Sequence, residues 1–178
     1  SGQLGDGTRT DQNTQVRVVS LGGVATTIAA GSDHTCALLS SGTMRCWGWN
    51  SNYQLGNFGP NSTTPVTSTF ASGNITQIAL GSASTCTLQD TGGVTCWGYN
   101  GDGRLGNGIT GISNSPPVTP TGLVSGTARI LFGTSGACAL SQVGAFRCWG
   151  YNGQGQIGDG SVGTPGNNYK TSPTQVTG

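Results

Sequence analysis

The sequence is short of charged residues and has no long apolar run. Only 7% of its 178 residues are charged, and seven Lys and Arg stand against six Asp and Glu, for a net charge of +1. The basic residues are spread singly and form no basic stripe for phosphates, so we predict no nucleic-acid partner. No apolar run approaches the roughly 18 residues of a transmembrane helix, so we predict no membrane span.

Metal ligands are scarce as well. The chain has one histidine, His34, and its six cysteines are never closer than nine intervening residues. Zinc sites typically need pairs of ligands only two to four residues apart. We therefore predict that the chain holds no metal and no cofactor.

The sequence is rich in glycine, with 33 residues, and it repeats. The stretch TCTLQDTGGVTCWGYNGDGRLG at 85–106 has near copies at 35–56 and 137–158. A fixed period in the range of 20–50 residues indicates a repeat architecture. We predict one repeat domain over 1–178. Its predicted units are repeats 1–50, 51–100 and 101–152 and a half repeat 153–178.

Each repeat carries one C-x9-C pair, which indicates disulfides and an oxidising compartment. Glycine follows the midpoint of every pair, as a three-residue hairpin loop requires at its last position. In the first copy this register sets Cys36 opposite Cys46 and Leu38 opposite Met44. The predicted bonds are Cys36–Cys46, Cys86–Cys96 and Cys138–Cys148. Buried reduced thiols remain the alternative.

Two further β-prone pieces precede each hairpin. One is apolar, at 27–31, 77–81 and 129–133, and the other lies at 15–19, 65–67 and 117–119. Each repeat therefore offers about four short strands, and no segment has the pattern of an amphipathic helix. A Gln-Leu-Gly-like turn occurs four times, whereas the cysteine hairpin occurs three times. The chain therefore contains three repeats and a half. The four turns begin at Gln3, Gln54, Arg104 and Gln156.

The repeats resemble those of the regulator of chromosome condensation family, whose pattern runs roughly H-t-x-A-L-x-x-x-G-x-v-x-x-W-G-x-N-x-x-G-Q-L-G-x-G. The first copy matches it at His34, Ala37, Leu38, Gly42, Trp47, Gly48, Asn50, Gln54, Leu55 and Gly56. The resemblance covers essentially the whole chain and implies β-propeller blades of four antiparallel strands. The cysteine before Trp-Gly resembles repeats of secreted and surface proteins of bacteria, which implies an extracellular location.

The fold prediction is an all-β chain of about three and a half propeller blades, arranged as an open arc or partial propeller. An open arc exposes an inter-blade face at each end. We therefore expect further repeats in the parent protein, or a second chain packed against the ends. The sequence begins at Ser1 inside a repeat and without an initiator Met, so we also expect a segment upstream.

Three classes of function remain open, because the family's functions differ widely. The first is a non-enzymatic extracellular module that binds another protein, and variable loops favour it. The second is a structural subunit of a surface fibre or filament built from copies of this chain, and the half-repeat overhang favours it weakly. The third is a secreted carbohydrate-binding or hydrolytic propeller.

Four loops differ in length and sequence from repeat to repeat, and they are the predicted partner-binding sites. They span 8–13, 58–64, 109–116 and 161–171. Interface cores favour aromatic and aliphatic anchors rimmed by polar groups. The predicted anchors are Phe58, Ile109, Ile112 and Tyr169. The alternative is that these side chains pack only against their own loops.

For several residues a catalytic, calcium-binding or sugar-binding role can be weighed against a purely structural one. His34 after Asp33 allows a Ser-His-Asp triad, but a hydrogen bond between blades is preferred, and the chain is predicted not to be an enzyme. Single aspartates in Gly-Asp-Gly sequences suggest tight turns rather than calcium loops. The repeated tryptophans are predicted to pack between blades rather than to form a sugar-stacking ladder. Asn61 and Asn74 begin N-x-[ST] sequons, and the sequence does not decide whether they are glycosylated.

Overall fold

The computed structural model describes residues 1–164 and 166–177, with the side chain of Asn114 left aside. Pro165, in the fourth predicted loop, and Gly178, the last residue of the predicted half repeat, lie outside the described residues. All regular secondary structure in the described part is β, in three four-stranded sheets. The all-β prediction is therefore confirmed.

Each sheet is an antiparallel meander in chain order, and we call the sheets blades 1, 2 and 3. Blade 1 consists of β1 (Ala25–Ala30), β2 (His34–Leu39), β3 (Met44–Gly48) and β4 (Ser62–Thr67). Blade 2 consists of β5 (Ile75–Leu80), β6 (Ser84–Gln89), β7 (Val94–Asn100) and β8 (Ile112–Val118). Blade 3 consists of β9 (Thr127–Phe132), β10 (Gly136–Ser141), β11 (Phe146–Tyr151) and β12 (Tyr169–Gln175).

The central hairpin of each blade has the predicted register. Cys36 lies opposite Cys46 and Leu38 opposite Met44, and the other two hairpins repeat this pairing. The loop of the first hairpin ends at Gly42, whose φ of 81° is costly for any residue with a Cβ. Opposed cysteines whose Cα atoms are 4.1 Å apart are joined by a disulfide in every blade.

The strand predicted at 15–19 is wrong. The equivalent strands β4, β8 and β12 each pair with the third strand of their own blade, as Thr67 pairs with Arg45. No third strand precedes residue 15 in the described chain, so this segment has no ladder to join. It is held instead by the Val19 amide, which donates to the Gly5 carbonyl at 3.0 Å.

The core lies between blades, in two separate clusters. The first junction joins the disulfide-bearing face of blade 1, with Leu38 and Met44, to Ile78 and Trp97 of blade 2. The second junction repeats this arrangement one blade later. It joins Cys86, Leu88 and Val94 of blade 2 to Ile130 and Trp149 of blade 3.

Every blade therefore has two distinct faces. The front face carries the tryptophan and meets the preceding blade, and the back face carries the disulfide and meets the following blade. The first strands β1, β5 and β9 contact each other in series and line the inner side of the arc.

Candidate functional site

The candidate site is the set of loops that join the third and fourth strands, and buried asparagines hold these loops in shape. Asn100 accepts the Leu105 amide on Oδ1 at 3.0 Å, and its Nδ2 donates to the Ile109 carbonyl at 3.1 Å. A buried amide that bonds on both sides fixes the turn and the start of the loop together.

Asn50 and Asn152 make the same contacts in the other blades. Asn50 Nδ2 donates to the Gly59 carbonyl at 2.7 Å, and Asn152 Nδ2 donates to the Ser161 carbonyl at 3.2 Å. The sequence interpretation placed these asparagines in the family pattern but gave them no role. Their recurrence three residues after each tryptophan was the available signal.

Phe58 is the most exposed of the predicted anchors, at 70%. Its ring meets Tyr53 edge-on at a centroid distance of 5.1 Å and Phe70 at 4.8 Å. Phe70 in turn meets the buried Trp97 at 6.2 Å. Trp97, Phe70, Phe58 and Tyr53 thus contact one another in series from the first junction outwards, and Phe58 is the most exposed ring of the four.

Tyr53 occupies an unusual backbone conformation in this series of rings. Its φ is 63°, where the equivalent turns have Gly2, Gly103 and Gly155 with φ of 87°, 72° and 77°. A left-handed conformation costs a residue with a Cβ about 1–2 kcal/mol relative to the right-handed one. Glycine would therefore suit this turn better than tyrosine. The tyrosine ring instead supplies the edge-on contact with Phe58.

The other predicted anchors lie in different settings. Ile109 is exposed on the second loop, whereas Ile112 is the exposed first residue of β8, opposite Asn100. Tyr169 is half-buried as the first residue of β12. It lines a depression of about 210 Å³ in the third loop, together with Asn152, Val162 and Lys170. The structure thus spreads the four anchors over three loops and does not gather them into one pocket.

An ion pair joins the third loop to β12, and the second loop has one of its own between Arg104 and Asp102. Lys170 Nζ lies 2.7 Å from Asp159 Oδ2, and the Ser161 amide donates to Asp159 Oδ1 at 3.0 Å. The hydrogen bonds from Lys170 and Ser161 lower the pKa of Asp159 to about 2. At the opposite end of the chain, the backbone and hydroxyl bonds from Thr8 likewise lower the pKa of Asp6.

His34 lies fully buried at the first junction. Its Nε2 is 2.8 Å from Thr85 Oγ1, and Thr85 Oγ1 donates to the Gln54 carbonyl at 2.7 Å. Because the Thr85 proton is committed to Gln54, His34 donates from Nε2 and is unprotonated at Nδ1, which has no hydrogen-bond partner. Burial lowers the pKa of His34 to about 3. This is the inter-blade hydrogen bond that the sequence favoured.

The three repeated tryptophans are buried between blades. Their indole N–H groups donate to the carbonyls of the Gln-Leu-Gly-like turns. Trp47 donates to Gln3 at 2.7 Å, Trp97 to Gln54 at 3.2 Å and Trp149 to Arg104 at 2.9 Å. Since these rings are covered on their faces, they form no sugar-stacking ladder, and the packing interpretation is confirmed.

The aspartates of the Gly-Asp-Gly sequences accept hydrogen bonds from other residues of the protein. Asp102 accepts from Arg104 Nε at 2.7 Å, while Asp6 and Asp159 accept from neighbouring residues. Within 1–164 and 166–177, no three His, Cys, Asp or Glu side chains come together as metal ligands would. In the same residues, no helix is long and apolar enough to cross a membrane.

Known proteins with the same repeat sequence and the same fold can be identified. Residues 25–54 and 41–88 match two family descriptions of the Regulator of chromosome condensation (RCC1) repeat. Yeast RCC1 (Prp20), solved with Kap60 bound, superposes with a TM-score of 0.80 at 20% identity, over 100% of this chain and 43% of that one. Human WBSCR16 superposes with a TM-score of 0.75 at 19% identity, over 99% of this chain and 45% of that one.

A plant protein has the same repeat fold at lower similarity. The ectodomain of the receptor kinase CR4 from Physcomitrella patens gives a TM-score of 0.51 at 24% identity, over 77% of this chain and 33% of that one. This chain spans less than half the length of each of these three structures. No curated protein matches the chain.

Four-stranded blades stacked front to back, each with a tryptophan donating to the preceding turn, define an open set of β-propeller blades. Residues 25–88 match the regulator of chromosome condensation (RCC1) repeat, and the chain as a whole has the fold of the solved RCC1 structure.

Proposed function

We propose that the chain is a non-enzymatic protein-interaction module of an oxidising, extracellular compartment, and that it binds its partner through the loops between third and fourth strands. The observation that carries the proposal is Phe58, which is 70% exposed yet anchored through Phe70 to the first junction. An exposed aromatic ring on a rigid support loses little conformational entropy on binding, and such rings dominate interface energetics.

Three further observations support the proposal. One disulfide in every blade is typical of proteins from oxidising compartments. The only histidine is fully buried at the first junction, and burial lowers its pKa to about 3, which favours a non-enzymatic role. Among the similar structures, yeast RCC1 was solved with the protein Kap60 bound.

Selection of peptides from a phage-displayed library on the immobilised, disulfide-bonded chain tests the loop surface. We expect enriched peptides whose affinity falls at least about tenfold for Phe58→Ser, because the central anchor of the contact is lost. Val143→Ser is the matched control, since Val143 is almost fully exposed at the tip of a hairpin. The triple variant with Phe58, Ile112 and Tyr169 all changed to Ser measures the combined contribution of the loops.

Stability must be followed in parallel. Lost binding with the free energy of unfolding changed by no more than about 1 kcal/mol supports an interface. Intact binding together with a lowered melting temperature means that the loops pack only on themselves and overturns the proposal. Turnover of a glycan or peptide substrate by the purified chain would contradict the non-enzymatic part.

The second candidate, a structural subunit of a fibre or filament, is favoured by a different part of the molecule. The front face of blade 1 and the back face of blade 3 expose apolar side chains that the other blades bury.

A further inference from the structure

The second junction is open at the edge where the third hairpin meets the segment that links blades 2 and 3. A depression of about 300 Å³ lies there, between residues 122–127 of this linker and the strands of blade 3. Leu123 and Ala139 are buried and form its apolar base, whereas Arg147 is exposed at its side. Its volume is at the lower end of the range for small-molecule sites, about 300–1,000 Å³.

Blade 2 fills the corresponding space at the first junction with larger side chains. In blade 2, Ile75 lies opposite Gln89. In blade 3, Thr127 lies opposite Ser141 at these positions. Ile75 belongs to the core of the first junction, and Gln89 Nε2 donates to the Ser72 carbonyl of the linker at 3.0 Å. Because Thr127 and Ser141 are smaller, space remains between the linker and blade 3.

Arg147 brings a positive charge to this space. It lies opposite Ala139, at the position that Thr95 has in blade 2. Its Nη1 is beside the linker, 3.8 Å from where a Cβ at Gly122 would lie. Among the residues that the structure describes, no acceptor or carboxylate pairs with this guanidinium. An arginine without a partner at the side of a depression can form charged hydrogen bonds to a bound anion.

Two hydroxyl groups line the depression as well. Ser141 Oγ accepts a hydrogen bond from the Ala145 amide at 2.9 Å, so its proton is available for donation to a ligand. The side chain of Thr127 lies on the same lining. The depression therefore combines one guanidinium, two hydroxyl groups and an apolar base.

We propose that this depression binds a carboxylate group that is attached to a short apolar chain. The planar guanidinium of Arg147 donates two parallel hydrogen bonds to the carboxylate oxygens, and the hydroxyls of Ser141 and Thr127 donate to the same oxygens. Leu123 and Ala139 contact the apolar chain. Because one guanidinium balances one negative charge, a carboxylate fits better than a phosphate group, which carries about −1.5 to −2 charges at pH 7.

Two sources present this chemistry, namely a free short-chain acid and the carboxyl terminus of a peptide that ends in an apolar residue. The site is independent of the loop-side function. It lies on the linker before β9 and on the third hairpin, whereas Phe58 lies in a loop between a third and a fourth strand.

Blade 1 provides an internal control. Arg45 occupies in blade 1 the position that Arg147 has in blade 3. Leu39 takes the place of Ser141 there, and it is buried, with its Cδ1 3.1 Å from where a Cβ at Gly23 of the linker would lie. Arg45 therefore has the same charge and strand position as Arg147 but lacks the space that a serine leaves.

Titration of the isotope-labelled, disulfide-bonded chain, followed by heteronuclear NMR at constant ionic strength, tests the site. Sodium butyrate should cause saturable shifts of the amide signals of Gly122, Thr127 and Ser141. Butyramide, which has the same apolar chain without the charge, and sodium chloride should leave these signals unchanged. The peptide Gly-Gly-Leu with a free carboxyl terminus is compared with its amidated form. Binding of butyrate, of the free peptide or of both supports the proposal and identifies the source of the carboxylate.

Single-residue variants locate the binding. Arg147→Gln should weaken it at least about tenfold, because the charged hydrogen bonds are lost, whereas Arg45→Gln should bind like the wild type. Ser141→Gln, which introduces the residue that blade 2 has at this position, should fill the depression and also weaken binding. Phe58→Ser should leave binding unchanged, which separates this site from the loop-side function.

The same spectra show whether each variant is folded. Absence of saturable shifts with both carboxylates, equal shifts with butyrate and butyramide, or an unchanged affinity in Arg147→Gln would each overturn the proposal.

Discussion

The first and second junctions bury equivalent apolar side chains, but different polar side chains form hydrogen bonds across them. At the first junction, His34, Thr85 and the Gln54 carbonyl form one buried chain of hydrogen bonds. At the second, Ala137 replaces Thr85, and the Gln77 side chain bonds both backbone groups of Ile130 at 2.6 and 3.1 Å.

The turn residue at the second junction also differs. Arg104 replaces Gln54, and its guanidinium donates to Ser82 Oγ at 2.6 Å, to the Thr134 carbonyl at 3.0 Å and to Asp102. The comparison shows that the apolar pattern and the tryptophan set how blades stack, while several polar solutions satisfy the buried backbone groups. The buried histidine, whose pKa is lowered to about 3, belongs to the first junction.

Removing a tryptophan should have the largest effect and should be similar at both junctions. Trp97→Ala and Trp149→Ala are each expected to lower the free energy of unfolding by about 3–5 kcal/mol, because each leaves a large buried cavity. Urea denaturation measures the change. Trp49→Ala, at a partly exposed position, is the control with a smaller cost. A loss below about 2 kcal/mol at either junction would contradict the shared role of the tryptophans.

The disulfides of blades 2 and 3 should stabilise the fold equally, but a reductant should reach the bond in blade 3 more easily. Replacing both cysteines of a pair by Ala should cost about 2–3 kcal/mol for Cys86–Cys96 and for Cys138–Cys148, because both bonds span a sequence separation of 10. Cys138 is half-buried and Cys86 is buried, so a reductant should open the third bond first under native conditions.

Timed alkylation with peptide mass analysis follows the order of reduction. Simultaneous labelling of all six cysteines would show that reduction waits for global unfolding and would contradict the difference in access.

Acid should weaken the first junction through His34. Its folded pKa of about 3 lies below the ordinary histidine value of 6.5, so the unfolded chain binds the proton more readily. The free energy of unfolding should therefore fall as pH drops from 6.5 towards 3, by up to about 1.4 kcal/mol per pH unit. Above pH 6.5 this contribution is constant.

His34→Ser is the comparison variant, because blade 2 has Ser84 at the equivalent position. Urea denaturation of both proteins between about pH 7 and pH 4 should give a shallower pH dependence for the variant, whatever its stability at neutral pH. Parallel curves for the two proteins would exclude the proposed effect of burial on His34.

The smallest expected effect concerns the charged third loop. Asp159→Asn makes this loop resemble the first two, which have Asn57 and Asn107 there, and should lower the free energy of unfolding by about 0.5 kcal/mol at neutral pH. The effect is small because Lys170 is partly exposed and asparagine still accepts from the Ser161 amide. The ionised Asp159 contributes fully above the ordinary aspartate pKa of 3.8, and the contribution is lost as pH falls through about 2.

Added salt provides the check. The difference between wild type and Asp159→Asn should shrink in high salt, since the lost interaction is a partly exposed ion pair. A difference above about 1.5 kcal/mol that does not respond to salt would mean that the loop depends on Asp159 for its shape.

Local sequence rules were enough for the hairpins. A glycine after each midpoint and the two-residue alternation predict that Cys36 faces Cys46 on an apolar face, and the structure has that register. The strand predicted at 15–19 was wrong because its residues are β-prone but have no partner strand. The role of Asn50, Asn100 and Asn152 was also missed, because their recurrence after each tryptophan marks a shared position but does not show which loop carbonyls they bond.

The sequence by itself determined the period, the four-stranded unit and the register that sets each cysteine opposite its partner, because each follows from alternation and turn chemistry within one repeat. Only the tertiary structure decided which faces are covered. Ile28 and Ile78 have the same local surroundings and very different exposure, since burial depends on whether a neighbouring blade is present. The tautomer of His34 is decided in the same way, by Thr85 and Gln54 from other parts of the chain, and its lowered pKa is decided by burial.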